Sequence, residues 1–290
     1  MGEANMMVVR ISTITAPRRI REETSANSIM AYYQVDDTRL KLVEIDGANA
    51  LAGDLLIQPA GPFTNTSFVG RFAFTAAGSK GGASFGMGGL FTMNLGGITN
   101  RLLDGVNQTV FDTQGAYVVT DSALGRTTVT WTVNNGAMSQ FVLYPRNDGG
   151  FVMLEVDGDA AAEGIVLPQT VSAPNTFTLQ GNFAATLAGA EPPSSVANES
   201  ITGHIVLPGG APFTGVLDIV ANGTVTQGGA FQVGGFTVDV NTGRGFATAL
   251  PSSSVLGNAG FILYILDSDQ ALILESDTVR VLTGKMARQD

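Results

Sequence analysis

A β-hairpin motif occurs three times in this chain of 290 residues, and the spacing of its copies constrains the fold more than any other feature. Each copy carries one glutamate and is closed by one glutamine: the glutamates are Glu44, Glu155 and Glu275, and the glutamines are Gln58, Gln169 and Gln289. In both series the copies lie 111 and then 120 residues apart. The equal steps mean that no insertion separates the glutamate from the glutamine in any copy. A period of this length predicts an array of domains rather than a solenoid of short stacked units.

Short strands separated by turn residues fill the first complete repeat. Glycine accounts for 37 of the 290 residues, well above the usual share of about 7%, and many tight turns require it. Eight strands are predicted, at residues 70–77, 83–93, 98–108, 115–120, 127–133, 138–144, 150–156 and 164–169. Eight strands joined by hairpins favour a closed up-and-down barrel, which leaves no exposed sheet edge. A two-sheet sandwich is the nearest alternative.

The repeat also predicts the domain boundaries. We expect an irregular lead-in at residues 1–28, a partial repeat at 29–60, a first full barrel at 68–170 and a second full barrel at 177–290. The partial repeat holds only the last three strands of a barrel, and three strands cannot close one. Either the chain is a fragment of a longer array, or these strands pair with another segment. The predicted fold class is all-β, with two tandem antiparallel up-and-down barrels of about eight strands each after a three-stranded module.

Composition excludes several kinds of function. The net charge is −10 and the 15 basic residues are scattered, whereas a nucleic-acid surface needs clustered Lys and Arg. The absence of cysteine excludes disulfides and cysteine nucleophiles, and a single histidine, His204, makes a zinc or copper site improbable. We expect His204 to be an exposed strand residue rather than a catalytic base. No apolar run reaches the roughly 18 residues of a membrane helix, and residues 1–28 do not form a signal peptide.

The glycine-rich stretch at residues 86–89 is not a phosphate-binding loop. A phosphate loop leads into a helix whose N-terminus holds the anion. Here the residues that follow are strand-like, so a glycine-kinked barrel strand is the better interpretation. We therefore predict no cofactor. We also predict no metal, with calcium at the acidic hairpin tips (36–37, 157–159 and 267–269) as the alternative to ordinary turn aspartates.

Three short motifs carry a resemblance to a known family. They are the G-x-F-A-F sequence at residues 70–74, the G-R-T sequence at 125–127 and the L-E-V-D-G sequence at 154–158. Together they resemble the tandem lipocalin-like (calycin-type) β-barrel repeats of long secreted or surface proteins of environmental bacteria. The resemblance covers about residues 29–289, and the second repeat departs from it where the turn glycine is lost, near residue 278. It implies a barrel fold and an exported protein, and it brings no catalytic residues.

The repeated glutamate is the best polar candidate in the chain. Strand alternation places Glu155 on one face with Phe151 and Met153. If that face lines the barrel, the carboxylate needs a partner, because an unpaired buried charge is costly. We predict structural ion pairs between Glu155 and Arg126 and between Glu275 and Arg244. A solvated glutamate on the outer wall and a ligand-binding glutamate are the alternatives.

Large apolar side chains are expected to fill the first barrel. The candidates for its lining are Phe72, Phe91, Trp131 and Phe141. A small barrel filled in this way has no room for a ligand.

The sequence favours a non-catalytic protein. We expect an extracellular or cell-surface repeat module that acts as a spacer, adhesion or interaction domain, with an export signal upstream of this chain. Its expected partners are neighbouring repeats of a longer chain or a self-associating partial module. One alternative is a lipocalin-like binding protein for a small apolar ligand or a glycan. A second is a hydrolase with two carboxylates about 5–10 Å apart, and a third is a membrane barrel, which the few Tyr and Trp residues disfavour.

Overall fold

The structure is a computed structural model, and it describes residues 7–11, 28–44, 52–105, 108–111, 115–132, 138–156, 160–190, 198–209, 212–221, 223–251, 254–275 and 280–289. The chain divides into two compact units. The first comprises Met1–Pro59 with Arg146–Asp148, and the second comprises Ala60–Pro145 with Gly149–Asp290. The second unit contains both predicted barrels.

The first unit contains one antiparallel sheet of four strands in chain order. The strands are β1 (Met7–Ile11), β2 (Ser28–Asp36), β3 (Arg39–Glu44) and β4 (Ala52–Leu56). Strands β2–β4 are the three strands predicted for the partial repeat. Strand β1 lies in the lead-in that we expected to be irregular, so that expectation was wrong for these five residues. Val8, Val9 and Ile11 are β-branched, which favours an extended backbone, and β1 pairs with β2 in the register Val8 to Ala31.

The first barrel contains nine strands, eight of which close a ring. The strands are β5 (Gly70–Lys80), β6 (Ala83–Asn94), β7 (Gly97–Gly105), β8 (Gln108–Phe111), β9 (Gly115–Asp121), β10 (Arg126–Thr132), β11 (Met138–Pro145), β12 (Phe151–Glu155) and β13 (Ala160–Pro168). The ring runs β5–β6–β7–β9–β10–β11–β12–β13 and returns to β5, while β8 pairs with β7 alone. The structure confirms the barrel and rejects the sandwich. The third predicted strand, 98–108, ends earlier than expected, and β8 begins at its last residue.

The second barrel is a closed ring of eight strands in chain order. They are β14 (Gly181–Ala190), β15 (Asn198–Leu207), β16 (Thr214–Ala221), β17 (Thr224–Val238), β18 (Arg244–Ala249), β19 (Gly260–Ile265), β20 (Gln270–Glu275) and β21 (Val281–Arg288). Pairing of β14 with β21, from Phe183–Arg288 to Ala190–Val281, closes it.

In all three copies of the hairpin, the repeated glutamate pairs with the equivalent residue of the neighbouring strand. Glu44 pairs with Met30, Glu155 with Phe141 and Glu275 with Phe261. The partners are themselves 111 and 120 residues apart, as the glutamates are. The sequence repeat is therefore also a repeat of strand register.

Side-chain alternation gives each barrel its own core. The first core is mostly aromatic: the Trp131 ring lies 4.4 Å from the Phe141 ring and 5.0 Å from the Phe74 ring, centroid to centroid. The second core is mostly aliphatic, with Phe213, Phe231 and Phe261 among its buried members. A third apolar cluster lies between the two barrels.

Candidate functional site: the contact between the two barrels

The outer faces of the two barrels pack against each other through apolar side chains. The first barrel contributes Ala73, Leu90, Leu102, Ile165 and Leu167, and the second contributes Ile262, Tyr264, Leu266, Leu272 and Leu274. Residues of this kind normally face the inside of a barrel and leave the outside polar. Strands β19 and β20 are buried on both faces instead, because their outer side chains meet the first barrel. The second barrel is thus held by a largely apolar contact.

Two glycines of β6 allow the barrels to approach closely. A Cβ atom on Gly88 would lie 2.6 Å from Cε2 of Tyr264, and one on Gly86 would lie 2.4 Å from Cγ1 of Val281. Real Cβ atoms do not come so near to other carbon atoms, so these positions require glycine. The strand itself pairs with β5 without a break from Ala83 to Met93. The stretch at residues 86–89 lies in a barrel strand, as we interpreted it, and its glycines also form part of the contact with the second barrel.

A buried carboxylate lies in the middle of this contact. Asp104, on the outer face of β7, is completely buried. The guanidinium of Arg244 donates to it from Nε (2.9 Å to Oδ2) and from Nη2 (2.8 Å to Oδ1). The Tyr264 hydroxyl donates a third hydrogen bond, 2.8 Å to Oδ2. The two-pronged arrangement of Arg244 fixes orientation as well as distance.

The environment keeps the two donors of this link, Tyr264 and Arg244, in their protonated forms. Burial raises the pKa of the Tyr264 hydroxyl well above its ordinary value, and the negative charge of Asp104 acts in the same direction. Burial by itself would lower the pKa of Arg244, but the hydrogen bonds and charge of Asp104 outweigh it and raise that pKa. The tyrosine therefore remains a neutral donor and the arginine remains a cation.

The turn before Arg244 is held by an aspartate of its own. The Asn241 N–H and the Thr242 hydroxyl donate to Asp239 at 2.9 and 2.8 Å. These hydrogen bonds stabilise the carboxylate and lower the pKa of Asp239. The turn then places Arg244 at the start of β18, facing the first barrel.

The linker between the barrels adds polar contacts beside the apolar ones. Gln169, which closes the first full repeat, donates from Nε2 to the carbonyl oxygens of Ile265 (2.7 Å) and Thr242 (3.0 Å). Arg71, on the first barrel, donates to the carbonyl oxygens of Asn241 (3.2 Å) and Thr242 (3.3 Å). The repeated glutamine is thus a docking residue in this copy.

The predicted pair of Glu155 and Arg126 is not the pairing that the structure has. Glu155 is 4% exposed and faces the barrel interior with Phe151 and Met153. Arg126 lies on the outer face of β10, where its Nη1 donates to the hydroxyls of Thr120 (2.9 Å) and Thr128 (3.4 Å). A partner of Glu155 inside the barrel has to lie on an inward-facing position. Strand alternation places Arg126 on the outward-facing side of β10 instead.

The second predicted pair, of Glu275 and Arg244, fails for the same reason. Glu275 is buried inside the second barrel, whereas Arg244 faces outward and binds Asp104 of the first barrel. Glu199, a buried glutamate of the same barrel, has its Oε2 3.2 Å from Nε of Arg280.

The predicted lining residues fill the first barrel. Phe72, Phe91, Trp131 and Phe141 are each at most 5% exposed and belong to one aromatic cluster. The second barrel has a cavity of about 30 Å³ whose eleven lining residues are all apolar, among them Ile201, Phe231 and Met286. An engineered cavity that binds benzene has a volume of about 150 Å³. Among the residues that the structure describes, this cavity is therefore much smaller than one that holds a small organic ligand.

Other sequence predictions concern single side chains. His204 lies on β15 with an exposed side chain. Within the ranges that the structure describes, no three His, Cys, Asp or Glu side chains converge as metal ligands. In the same ranges, no helix is long and apolar enough to cross a membrane.

Sequence reasoning missed Asp104. The sequence feature that could have drawn attention to it is a carboxylate directly after two leucines in a predicted strand, at residues 102–104. On a single barrel, an outward-facing aspartate is normally solvated, so the pattern gains meaning only when a second barrel covers it.

Comparison with known proteins found no matching family model, no similar curated protein and no similar solved structure.

Proposed function

We propose that this protein is a non-catalytic repeat module of the cell surface or extracellular space, in which barrels locked together act as a spacer or a platform for interaction. The observation that carries this proposal is the Asp104–Arg244–Tyr264 link between the two barrels. A spacer must keep its parts in a fixed orientation. A two-pronged buried ion pair surrounded by apolar side chains supplies that orientation.

The filled interiors support a structural role over a binding role. The first barrel is occupied by its own aromatic side chains, and the second leaves about 30 Å³. The lipocalin-like alternative requires a cavity large enough for its ligand. The resemblance to tandem barrel repeats of secreted proteins supports the exported setting that we propose.

Spin-label distances test whether the barrels form one rigid body. Because the chain has no cysteine, single labels can be introduced with Gln140→Cys on the first barrel and Gln227→Cys on the second, both at exposed positions. We expect one narrow distance distribution for the labelled chain. The same pair of labels with Asp104→Ala should give a broad distribution. A broad distribution in the otherwise unaltered chain would contradict a spacer role.

Protease treatment of intact cells tests the proposed location. Cells of the source organism are treated with a protease that cannot enter them, and the protein is then followed with an antibody. We expect loss of the protein from intact cells. Protection in intact cells with digestion only after lysis would refute a surface location.

A further inference from the structure

The first barrel carries a second, partly exposed copy of the surface by which the second barrel docks. We call the outer face of β18–β20 the arginine wall; it contains Arg244, Ile262, Tyr264, Leu272 and Leu274. The residues at the same positions of β10–β12 are Arg126, Val142, Tyr144, Val152 and Leu154. The registers agree, because Tyr144 pairs with Val152 as Tyr264 pairs with Leu272. We call this copy the free arginine wall.

Exposure distinguishes the two walls. Tyr264, Leu272 and Leu274 are completely buried. Their counterparts Tyr144, Val152 and Leu154 are 40%, 41% and 47% exposed. Val142 is 3% exposed, like its counterpart Ile262, so the exposed part of the copy consists of Tyr144, Val152 and Leu154. Exposed apolar side chains grouped on neighbouring strands are typical of an interaction surface.

Arg126 in the free arginine wall indicates which chemical group the partner must carry. Thr127 pairs with Leu143, so Arg126 lies beside Tyr144 as Arg244 lies beside Tyr264. Arg244 and Tyr264 share a carboxylate, whereas Arg126 donates to two threonine hydroxyls at the surface. A partner that matches the free wall must bring a carboxylate to this position.

The surface that binds the arginine wall defines the rest of the partner. We call it the carboxylate wall; it is the outer face of β5–β7 and contains Ala73, Gly86, Gly88, Leu90, Leu102 and Asp104. We propose that the free arginine wall binds the carboxylate wall of a further barrel of this repeat, one that has glycines at the Gly86 and Gly88 positions and an aspartate at the Asp104 position. This inference rests on the proposed function and names the partner of the interaction surface.

The second barrel has the same register but blocks this docking. Its Thr202 pairs with Asp218 as Gly88 pairs with Asp104, so Asp218 occupies the position of the central carboxylate. Thr202 therefore stands where Gly88 is needed. A Cβ at Gly88 would already lie 2.6 Å from the tyrosine ring. The face of the second barrel that carries Thr202 and Asp218 therefore cannot dock on an arginine wall. A partner of the free arginine wall must have glycine at this position.

An opened chain tests the proposal with the native carboxylate wall. The substitutions Arg244→Ala and Leu274→Glu lie on the outside of the second barrel and should release it from the first barrel. The carboxylate wall of one copy then becomes available to the free arginine wall of another. Because the contact joins different surfaces, it does not close on itself. We expect the mass measured by sedimentation to rise with concentration beyond that of a dimer.

The control adds Leu154→Glu to the opened chain, at a side chain that is already half exposed. We expect this addition to abolish the association. An opened chain that stays monomeric, or one whose association survives Leu154→Glu, overturns the proposal. Growth that stops at a dimer also overturns it, because that outcome indicates contact between two free arginine walls.

A second variant tests the proposal even if the opened chain does not fold. By strand register, Ser200, Thr202, His204 and Lys285 of the second barrel occupy the positions of Gly86, Gly88, Leu90 and Ile165 of the first. The substitutions Ser200→Gly, Thr202→Gly, His204→Leu and Lys285→Ile therefore give the second barrel a glycine-lined apolar wall beside Asp218 while leaving the native inter-barrel contact intact. We expect this chain to associate head to tail, and Arg126→Glu to abolish that association. A folded chain that remains monomeric refutes the glycine requirement. If the proposed function is wrong, the spin-label distances are broad in the unaltered chain; if only this inference is wrong, they are narrow and no association occurs.

Discussion

At the scale of single residues, Asp104 determines how the two barrels meet. A buried ion pair adds little net stability compared with a well-packed apolar contact, because two charges must leave water. Its value lies in geometry: Arg244 binds both carboxylate oxygens, and Tyr264 binds one of them from a neighbouring strand. Rotation of one barrel against the other would break these bonds and leave a charge in an apolar contact. The link therefore selects one orientation among several that the apolar side chains alone would allow.

Removal of the Asp104 carboxylate should destabilise the folded protein. We expect Asp104→Ala to lower the free energy of unfolding by about 3 kcal/mol, the lower end of the range for breaking a buried pair, because Arg244 retains 22% exposure. Urea denaturation measures the change. The matched control is Asp218→Ala on the second barrel, where an exposed carboxylate accepts one backbone hydrogen bond at 2.7 Å from Gly228. There we expect a loss of at most about 1 kcal/mol; equal losses at the two positions would contradict a buried link.

The raised pKa of Tyr264 predicts a decrease of stability at alkaline pH. An unfolded tyrosine loses its proton near pH 10, whereas Tyr264 keeps its proton to a higher pH in the folded protein. Its contribution is fully present below about pH 10 and is lost as the pH rises from there towards the pKa of the folded state. We expect the difference in unfolding free energy between the wild type and Tyr264→Phe to be constant from pH 7 to 9. Above about pH 10 it should shrink, by at most about 1.4 kcal/mol per pH unit. A difference that stays constant up to pH 11 would show that the tyrosine does not titrate as expected.

At the scale of strands, alternation predicted which face each residue occupies but not what covers that face. Period-2 patterns placed Glu155 with Phe151 and Met153, and that face lines the barrel. The same patterns place Arg126 and Arg244 on outer faces, so the predicted ion pairs conflicted with the alternation that motivated them. Strand positions were predictable because turn residues and β-branched residues act locally. Arg244 and Gly88 each contact a residue of the other barrel, 140 and 176 residues away along the chain. No local sequence pattern predicts a contact over such a distance.

The glycines of β6 give a direct test of close packing. We expect Gly88→Ala to lower the free energy of unfolding by about 1–3 kcal/mol, the usual cost of overpacking, because the new Cβ would lie 2.6 Å from the Tyr264 ring. The control is Gly235→Ala on β17, where nothing lies within 4 Å of the new methyl group. That change should alter stability by less than about 1 kcal/mol. In the background of Tyr264→Ala, where the ring is absent, Gly88→Ala should cost much less; an equal cost in both backgrounds would contradict the proposed contact.

At the scale of the whole second unit, two cores and the contact between them should behave as one cooperative body. Each barrel has its own closed sheet and its own core, so each could in principle unfold alone. The unfolding of one barrel, however, exposes the apolar wall and the buried charge of the other. That penalty couples the two transitions in the same way that a bound partner stabilises a folded protein.

The single tryptophan allows this coupling to be measured. Trp131 lies in the first core, and the second barrel has no tryptophan, so intrinsic fluorescence reports the first barrel alone. Hydrogen exchange of the amides of β14–β21 reports the second. In the wild type we expect both probes to give the same denaturation midpoint, because neither barrel unfolds without exposing the other's wall. With Asp104→Ala the two midpoints should separate, since the apolar contact that remains is no longer held in register. Midpoints that already differ in the wild type would show that the barrels are independent domains joined by a linker, and the spacer proposal would then lose its physical basis.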